Sequence, residues 1–251
     1  RRMIRRAVER ALRRPFAPGL GRPPLVVHAC HHKSGTVWFA RVLRAVAARW
    51  TLPFLVGKQP ELAGQAIFLQ NHSQLDLAAL PPFRAAHMIR DPRDMIVSGF
   101  FYHKRTTEDW ALQPRDRFGG KSYQEHLLSL SDEEGLEAEI RRFARADGKH
   151  MADWPYGHPG VLEMTYESML QDEAGGWARL FDHWGFVPAA RDEAVEIAMG
   201  FSLSKVKGKL AHVRSGRPNE WPEHFGPAHR ALFIELTGDL AARLGYPPTD
   251  A

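Results

Sequence analysis

The sequence predicts an α/β fold in three layers, with a mostly parallel central sheet and helices on both of its faces. Short apolar runs of strand length recur along the chain, and segments of helical period separate them. The chain has 251 residues and is 44% hydrophobic, enough for one large domain with a full core. We therefore expect a single α/β domain that accounts for most of the chain.

The first predicted unit is a strand, a loop and a helix. Leu25–Cys30 is a continuous apolar run of the length of a buried parallel strand. From Thr36 to Trp50 the apolar residues follow helical spacing. The polar segment between them is therefore predicted to join the carboxyl end of a strand to the start of a helix.

Three further strands are predicted at Ala66–Gln70, Ala85–Ile89 and Val161–Met164. Helical patterns cover residues 93–105, 121–130, 134–151, 176–184, 189–199 and 227–244. Two long stretches, Arg105–Gly120 and Ser204–Phe225, have no regular pattern, and long loops in such domains are often functional.

The N-terminal segment differs from the rest of the chain. Residues 1–14 read as a basic amphipathic helix with seven arginines and one glutamate, and residues 15–24 as a Pro- and Gly-rich linker. We expect this helix to pack on the domain (residues 25–246), or else to bind an anionic membrane surface or an acidic partner. A remnant of a targeting segment is a third alternative. Because the net charge of +5 comes from this segment, the sequence does not predict a nucleic-acid-binding surface.

Other bulk features narrow the class of protein. No run of eighteen apolar residues predicts a spanning helix, and no signal peptide is recognisable. The single cysteine, Cys30, is expected to be a small buried apolar residue, which favours a reducing compartment. These features predict a cytoplasmic protein.

The loop His31–Val37 has the features of an anion site. The N–H groups that open a helix are unpaired and lie at the positive end of its dipole. Gly35 allows close approach of an anion, Ser34 and Thr36 offer hydroxyl donors, and Lys33 offers a mobile charge. A P-loop differs, because its lysine follows the glycine, and no acidic strand end is placed to hold Mg²⁺.

A second motif, RDPRDMIVS at residues 90–98, also follows a buried strand and opens a helix. Arg90 and Ser98 are expected to bind one phosphate group, the arginine with a planar fork of donors and the serine with a hydroxyl. Asp91 is predicted to cap the helix, with Pro92 in its first turn, while Asp94 orients an arginine.

Together the motifs resemble those of the sulfotransferase family. HKSGTVW (32–38) is similar to the family's 5′-phosphosulfate loop, P-K-S-G-T-T-W, and RDPRDMIVS to its 3′-phosphate motif, R-[ND]-P-x-D-x-x-V-S. RSGRPNEW (214–221) resembles the family's late loop, R-K-G-x-x-G-D-W. The three occur in the family's order. The resemblance implies a P-loop NTPase-like topology over residues 24–246.

The implied donor is 3′-phosphoadenosine 5′-phosphosulfate (PAPS), and the product is adenosine 3′,5′-bisphosphate (PAP), with no metal. By resemblance, Lys33, Ser34, Gly35, Thr36 and Val37 hold the 5′-phosphosulfate. The same resemblance assigns nucleotide contacts at the 3′-phosphate, the adenine and nearby positions to Arg90, Ser98, Arg214, Ser215, Gly216, Trp38, Phe201 and Tyr166. Trp38 equally fits a core position on the apolar stripe of its helix.

The expected base is His72, which follows the second predicted strand where the family has a K-T-H sequence. A histidine titrates near neutrality and can accept the proton of an attacking hydroxyl. Lys33 is expected to neutralise the charge that builds on the leaving oxygen. The lysine two positions before the base is Gln70 here, and Asp76 is a reserve candidate for the base. Asn219 replaces a glycine of the late loop, a turn position that asparagine tolerates.

Two alternatives stay open. One is a Mg²⁺-dependent nucleotide kinase or NTPase on a similar fold, and the other is a nucleotide-binding protein without catalytic activity. The acceptor is expected to be a small molecule or a carbohydrate, bound by loops near residues 51–64, 73–84 and 102–122. The oligomeric state does not follow from the sequence. No metal site is expected at His28, His31 and His32, since they lack further ligands at recognisable spacing.

Overall fold

The computed structural model describes residues 15–16, 25–58, 66–206 and 216–249. The predicted basic helix at residues 1–14 and most of the linker at 15–24 lie outside the described residues. Among the helices that are described, none is both long enough and apolar enough to cross a bilayer.

The strands, in chain order, are β1 (Leu25–Cys30), β2 (Phe54–Val56), β3 (Ile67–Gln70), β4 (Phe83–Ile89) and β5 (Val161–Thr165). The α-helices, in the same order, are α1 (Thr36–Arg49), α2 (Pro92–His103), α3 (Asp109–Leu112), α4 (Tyr123–Leu128), α5 (Asp132–Arg145), α6 (Asp147–Asp153), α7 (Tyr166–Gln171), α8 (Glu173–His183), α9 (Pro188–Gly200), α10 (Leu203–Val206), α11 (Pro227–Thr237) and α12 (Leu240–Arg243). Short 3₁₀ turns lie at Leu77–Ala79, Asp116–Phe118 and Trp221–Glu223.

The sheet is parallel throughout, in the order β2-β3-β1-β4-β5. β1 is central, and its His28 lies beside Leu69 of β3 and Ala86 of β4. The predicted α/β class and parallel sheet are therefore confirmed. Because all strands run the same way, the loops that follow β1, β3 and β5 lie at one edge of the sheet, where α/β proteins bind ligands.

Alternation along β1 divides its side chains between two apolar clusters. Val26 and Cys30 belong to the larger cluster, and Leu25 and Val27 to the smaller one. All six residues of β1 are buried, as expected for a central strand of a parallel sheet. The continuous apolar run in the sequence is explained by this burial.

The chain divides into two compact units, Arg1–Ile89 with Pro155–Lys207, and Arg90–Trp154 with Gly208–Ala251. In the first unit, α1, α8 and α9 contribute to the larger cluster, whose centre is aromatic. Trp177 packs on Phe39 with ring centroids 4.4 Å apart, and Trp184 packs edge-on to Phe181. Truncating a fully buried tryptophan to alanine costs about 3–5 kcal/mol, so these rings are a main source of this unit's stability.

The second unit contains a buried polar network around Glu139 of α5. Its carboxylate contacts Nδ1 of His103 at 2.9 Å and accepts the hydroxyl of Tyr123 at 2.7 Å. Burial alone would raise the pKa of Glu139, but the nearby charges of His103 and Arg142 and these hydrogen bonds hold it at about 2. The carboxylate of Glu139 is therefore charged, and His103, Tyr123 and Arg142 belong to the same unit as Glu139.

Several predicted boundaries were wrong. The helix predicted at 134–151 is two helices, because the backbone turns at Ala146 (φ −119°, ψ −102°) between α5 and α6. The helix predicted at 227–244 is interrupted at Gly238, whose φ of 61° no helix interior adopts. The strand β2 and the helix α7 were not predicted, because three and six residues are too few for a periodic signal.

Candidate functional site

The loop between β1 and α1 has an unusual backbone. Lys33 has φ 70° and Gly35 has φ 93°, both in the left-handed region, with Ser34 between them. A non-glycine residue in this region costs free energy and is common at ligand sites. Alternation between left- and right-handed residues turns successive N–H groups toward one side and makes a concave anion-binding nest.

The carbonyl oxygen of His31 is the acceptor around which this loop folds. It accepts the backbone N–H of Ser34 at 3.1 Å, the Ser34 hydroxyl at 2.7 Å and the Thr36 hydroxyl at 3.2 Å. Both hydroxyls thus donate to a carbonyl within the loop, and their contact with an anion stays a prediction.

Helix α1 begins without any negative charge. Its N-cap is Gly35, which has no side chain to cap the helix, and its first turn has no acidic residue. In contrast, α2 begins with Asp91 at its N-cap and Asp94 in its first turn. The positive end of the α1 dipole is thus available to an anion, while that of α2 is already neutralised.

Val37 and Trp38, in the first turn of α1, differ in their exposure. Val37 is exposed, at 45% of its maximum. Trp38 is buried and packs edge-on to Trp177, with ring centroids 5.4 Å apart. Of the two interpretations open for Trp38, the structure shows the core position.

Tyr166 lies beside the loop. It begins α7 directly after β5 and is buried. A Cβ atom built on Gly35 would lie 3.4 Å from its ring. The ring therefore supports the glycine at the point where the loop enters the helix. Phe201 ends α9, where it is half-buried against the apolar core.

The turn after β3 carries His72. The buried side chain of Gln70 accepts the backbone N–H of His72 at 2.8 Å and of Gln74 at 3.1 Å through Oε1. The Ser73 hydroxyl donates to the carbonyl of Cys30 at 3.1 Å, which joins this turn to the end of β1. His72 itself is exposed.

Gln70 therefore has a role that sequence reasoning missed. We expected it only as the replacement of a lysine, and the structure shows an amide that shapes the turn of the candidate base. Asp76, the reserve candidate, is exposed and caps a 3₁₀ turn by accepting the N–H of Ala78 at 3.0 Å.

The second unit holds the RDPRDMIVS motif. As predicted, Asp91 caps α2 and Pro92 is its first residue. Arg93 is fully buried, pairs with both carboxylate oxygens of Asp91 at 2.9 and 2.7 Å, and stacks over Trp221. Arg93 is therefore a structural residue of this helix start.

Arg90 is a buried guanidinium at the start of the same motif. It donates to the carbonyl of Arg217 at 3.2 Å and lies 3.8 Å from the carboxylate of Asp94, as predicted for an aspartate that orients an arginine. Ser98 is half-buried in the second turn of α2.

The late loop is held by Asp94. Its carboxylate accepts the backbone N–H groups of Asn219, Glu220 and Trp221 at 2.6, 2.9 and 2.9 Å. Burial raises the pKa of Asp94, against the opposing effects of Arg90 and these N–H groups. Asn219 has φ 58°, which confirms that asparagine keeps the turn where the family has glycine.

Gly216, also left-handed with φ 64°, is the described member of the predicted late-loop contacts. Arg214 and Ser215 lie outside the described residues.

Comparison with solved structures identifies the fold. The chain matches mouse sulfotransferase SULT7A1, solved in complex with PAP, at a TM-score of 0.59 and 18% identity, over 90% of this chain and 88% of that one. The chain has the sulfotransferase fold. Retinol dehydratase, solved with androsterone and inactive cofactor PAP and also with retinol and PAP, matches at a TM-score of 0.56 and 15% identity, over 87% of this chain and 81% of that one.

In sequence, no protein-family model matches the chain and no curated protein is similar to it. The P-loop-like sheet order and the α/β class are thus those of the sulfotransferase fold. A function for this chain has to be argued from the residues of its candidate site.

Proposed function

We propose that the chain is a PAPS-dependent sulfotransferase that modifies a hydroxyl or amine of a small-molecule or carbohydrate acceptor. One observation carries the proposal. The chain has a sulfotransferase fold, and in the loop after β1 both Lys33 and Gly35 have a left-handed backbone conformation. The helix that follows this loop has no acidic residue in its first turn. This arrangement favours a phosphate or phosphosulfate group.

By resemblance, the proposal assigns the two charged ends of PAPS to two groups of residues. The backbone from Lys33 to Val37 and the Lys33 ammonium would hold the 5′-phosphosulfate. The 3′-phosphate would be held by Arg90, Ser98, Gly216, Arg214 and Ser215. The Arg90 guanidinium supports this assignment, because it is buried and fixed in place by Arg217 and Asp94. An adenine contact from Phe201 and a contact from Tyr166 follow by resemblance.

The chain's own groups would divide the chemistry. When bound, PAPS supplies a sulfuryl group whose transfer to the acceptor leaves PAP. His72 accepts the proton that the attacking hydroxyl or amine loses, and its exposed position suits exchange of that proton with water. Lys33 offsets the negative charge that remains on the phosphate oxygen. No metal is required by this division.

A second candidate, a nucleotide-binding protein without transfer activity, is favoured by Gln70 alone. Its amide oxygen holds the turn of His72, and an uncharged amide cannot offset charge on a sulfuryl group as a lysine does. We further propose cytoplasmic location and, through residues 1–14, peripheral contact with an anionic membrane. Both rest on composition.

The test is transfer of labelled sulfate from PAPS to a panel of phenols, alcohols, amines and sugars, in EDTA. The proposal expects labelled product with at least one acceptor. PAP binding without transfer to any acceptor would favour the non-catalytic candidate. Turnover of ATP that requires Mg²⁺, without binding of PAP, would contradict the proposal and indicate a kinase or NTPase.

A further inference from the structure

Two buried histidines and a glutamate form a continuous chain of contacts below the β1–α1 loop. Nε2 of His31 lies 2.9 Å from Nε2 of His87, and Nδ1 of His87 lies 2.6 Å from Oε2 of Glu163. Both imidazoles are completely buried, whereas the Glu163 side chain is 31% exposed. His31 is the first residue after β1, and the other two face each other on β4 and β5.

The chemistry of these three side chains determines which of their nitrogen atoms carry hydrogen. A carboxylate only accepts hydrogen bonds, so Nδ1 of His87 must carry a hydrogen toward Glu163. Burial lowers the pKa of His87 to about 3, and a neutral imidazole has only one N–H. Nε2 of His87 is therefore an acceptor, and Nε2 of His31 must donate to it.

Two further aromatic groups lie near this part of the sheet. His28, on β1, stacks on Phe39, with ring centroids 4.1 Å apart. The rings of Tyr156 and His87 lie with their centroids 5.7 Å apart.

His31 links the hydrogen-bonded side chains of His87 and Glu163 to the loop between β1 and α1. The same residue whose side chain is held by His87 supplies the carbonyl that accepts Ser34 N–H and the hydroxyls of Ser34 and Thr36. Because the side chain and the carbonyl share one Cα atom, a shift of the His31 backbone that follows its imidazole would move the acceptor on which the loop is folded. The His31 backbone N–H also donates to the Ser34 hydroxyl, at 3.0 Å.

We propose that Glu163, acting through His87, fixes the tautomer and orientation of His31 and so sets the shape of the nucleotide loop. Glu163 and His87 are positioning residues for PAPS binding, and this role rests on the proposed function. The signal was not readable in the sequence, because the three residues lie 56 and 76 positions apart.

The experiment compares the wild type with Glu163→Gln, and with Glu196→Gln as a control. Glu196 is an exposed residue of α9 in the same unit, so its variant loses the same charge from a different element. Imidazole nitrogen NMR reads the tautomers of His31 and His87 without nucleotide. Backbone amide shifts report the loop at Lys33–Gly35, and calorimetry gives the affinity for PAP.

The wild type and Glu196→Gln should show His87 as the Nδ1–H tautomer and His31 as the Nε2–H tautomer. In Glu163→Gln, which can donate as well as accept, the His87 tautomer should become mixed, the loop shifts should move, and PAP affinity should fall by about fivefold or more. A second variant, His87→Gln, should reproduce the loop shifts.

Unchanged tautomers and unchanged loop shifts in Glu163→Gln would overturn the positioning role. So would a change of tautomer that leaves both the loop and the affinity of PAP as in the wild type. A wild type that binds no PAP while its tautomers match the expectation would instead count against the proposed function, because tautomers and loop shifts are read without nucleotide.

Discussion

The carboxylate of Asp94 accepts the backbone N–H of Asn219 at 2.6 Å, across 125 residues of sequence. Two further N–H groups, of Glu220 and Trp221, reach the same carboxylate. The first turn of α2 therefore builds the late loop as well as orienting Arg90. A single buried aspartate joins two of the three motifs that the sequence set apart.

Replacing this acceptor should loosen the loop. In Asp94→Asn, an amide group that itself donates would face N–H groups that need an acceptor, and leaving buried donors unpaired costs about 1–3 kcal/mol each. We expect a loss of about 2 kcal/mol or more in the free energy of unfolding, measured in urea, together with weaker binding of PAP. Asp239→Asn, an exposed aspartate of the same unit, should change neither quantity.

Lys33 and Arg90 should both matter for nucleotide affinity. Each of Lys33→Ala and Arg90→Ala should weaken PAP binding by more than about tenfold, or 1.4 kcal/mol. The matched exposed controls are Lys58→Ala and Arg141→Ala. Titration calorimetry distinguishes them, and equal affinities of variant and control would exclude that cation from the site.

Gly35 should not tolerate a side chain. Its φ of 93° is a conformation that residues with a Cβ rarely adopt, and the new Cβ would touch the Tyr166 ring at 3.4 Å. Gly35→Ala should lower stability by about 1–2 kcal/mol and weaken PAP binding. Gly57→Ala is a fair comparison, because Gly57 has no positive φ and its Cβ would find ordinary contacts. An affinity for PAP that survives in Gly35→Ala would contradict the assignment of the loop.

His72 should separate binding from transfer. The exposed imidazole of His72 contributes no core packing, so His72→Ala should keep the affinity for PAP within about twofold. Loss of the base should reduce the transfer rate by about 10²–10⁴-fold. Asp76→Asn tests the reserve candidate in the same assay. Full activity of His72→Ala with an inactive Asp76→Asn would move the base to the aspartate.

Acid should destabilise the first unit through its buried histidines. Burial lowers the pKa of His28 and of His87 to about 3, and the repulsion of His87 adds to the effect at His28. Both histidines take up a proton more readily in the unfolded chain. Their contribution to the free energy of unfolding is therefore fully present above the ordinary histidine pKa, and it is lost as the pH falls toward 3. Between pH 8 and pH 5, each of these two histidines should lower the free energy of unfolding by about 2 kcal/mol.

His28→Leu isolates one of these two contributions. Neither ring nitrogen of His28 has a hydrogen-bond partner among the described residues, so a leucine of similar volume loses no hydrogen bond there. Urea unfolding at pH 8 and pH 5 should show a smaller loss for this variant than for the wild type, by about 2 kcal/mol. An equal loss would show that His28 is not buried in its neutral form.

Local patterns in the sequence predicted local structure well. β1 was predicted to the residue, because a buried central strand leaves a continuous apolar run, and the start of α2 because Asp91 and Pro92 are strong capping signals. The roles of Gln70 and His87 could not be predicted. Gln70 acts through the geometry of a turn, and His87 through neighbours on other strands, which the register of the sheet alone brings together.

We propose that the ligand is one nucleotide with phosphate groups at both its 3′ and 5′ positions. The experiment is calorimetric titration of the wild type with PAP and with adenosine 5′-monophosphate, both in EDTA. We expect PAP to bind with one-to-one stoichiometry and the monophosphate to bind at least about tenfold more weakly. Equal affinities for the two, or binding of PAP only when Mg²⁺ is added, would contradict the account.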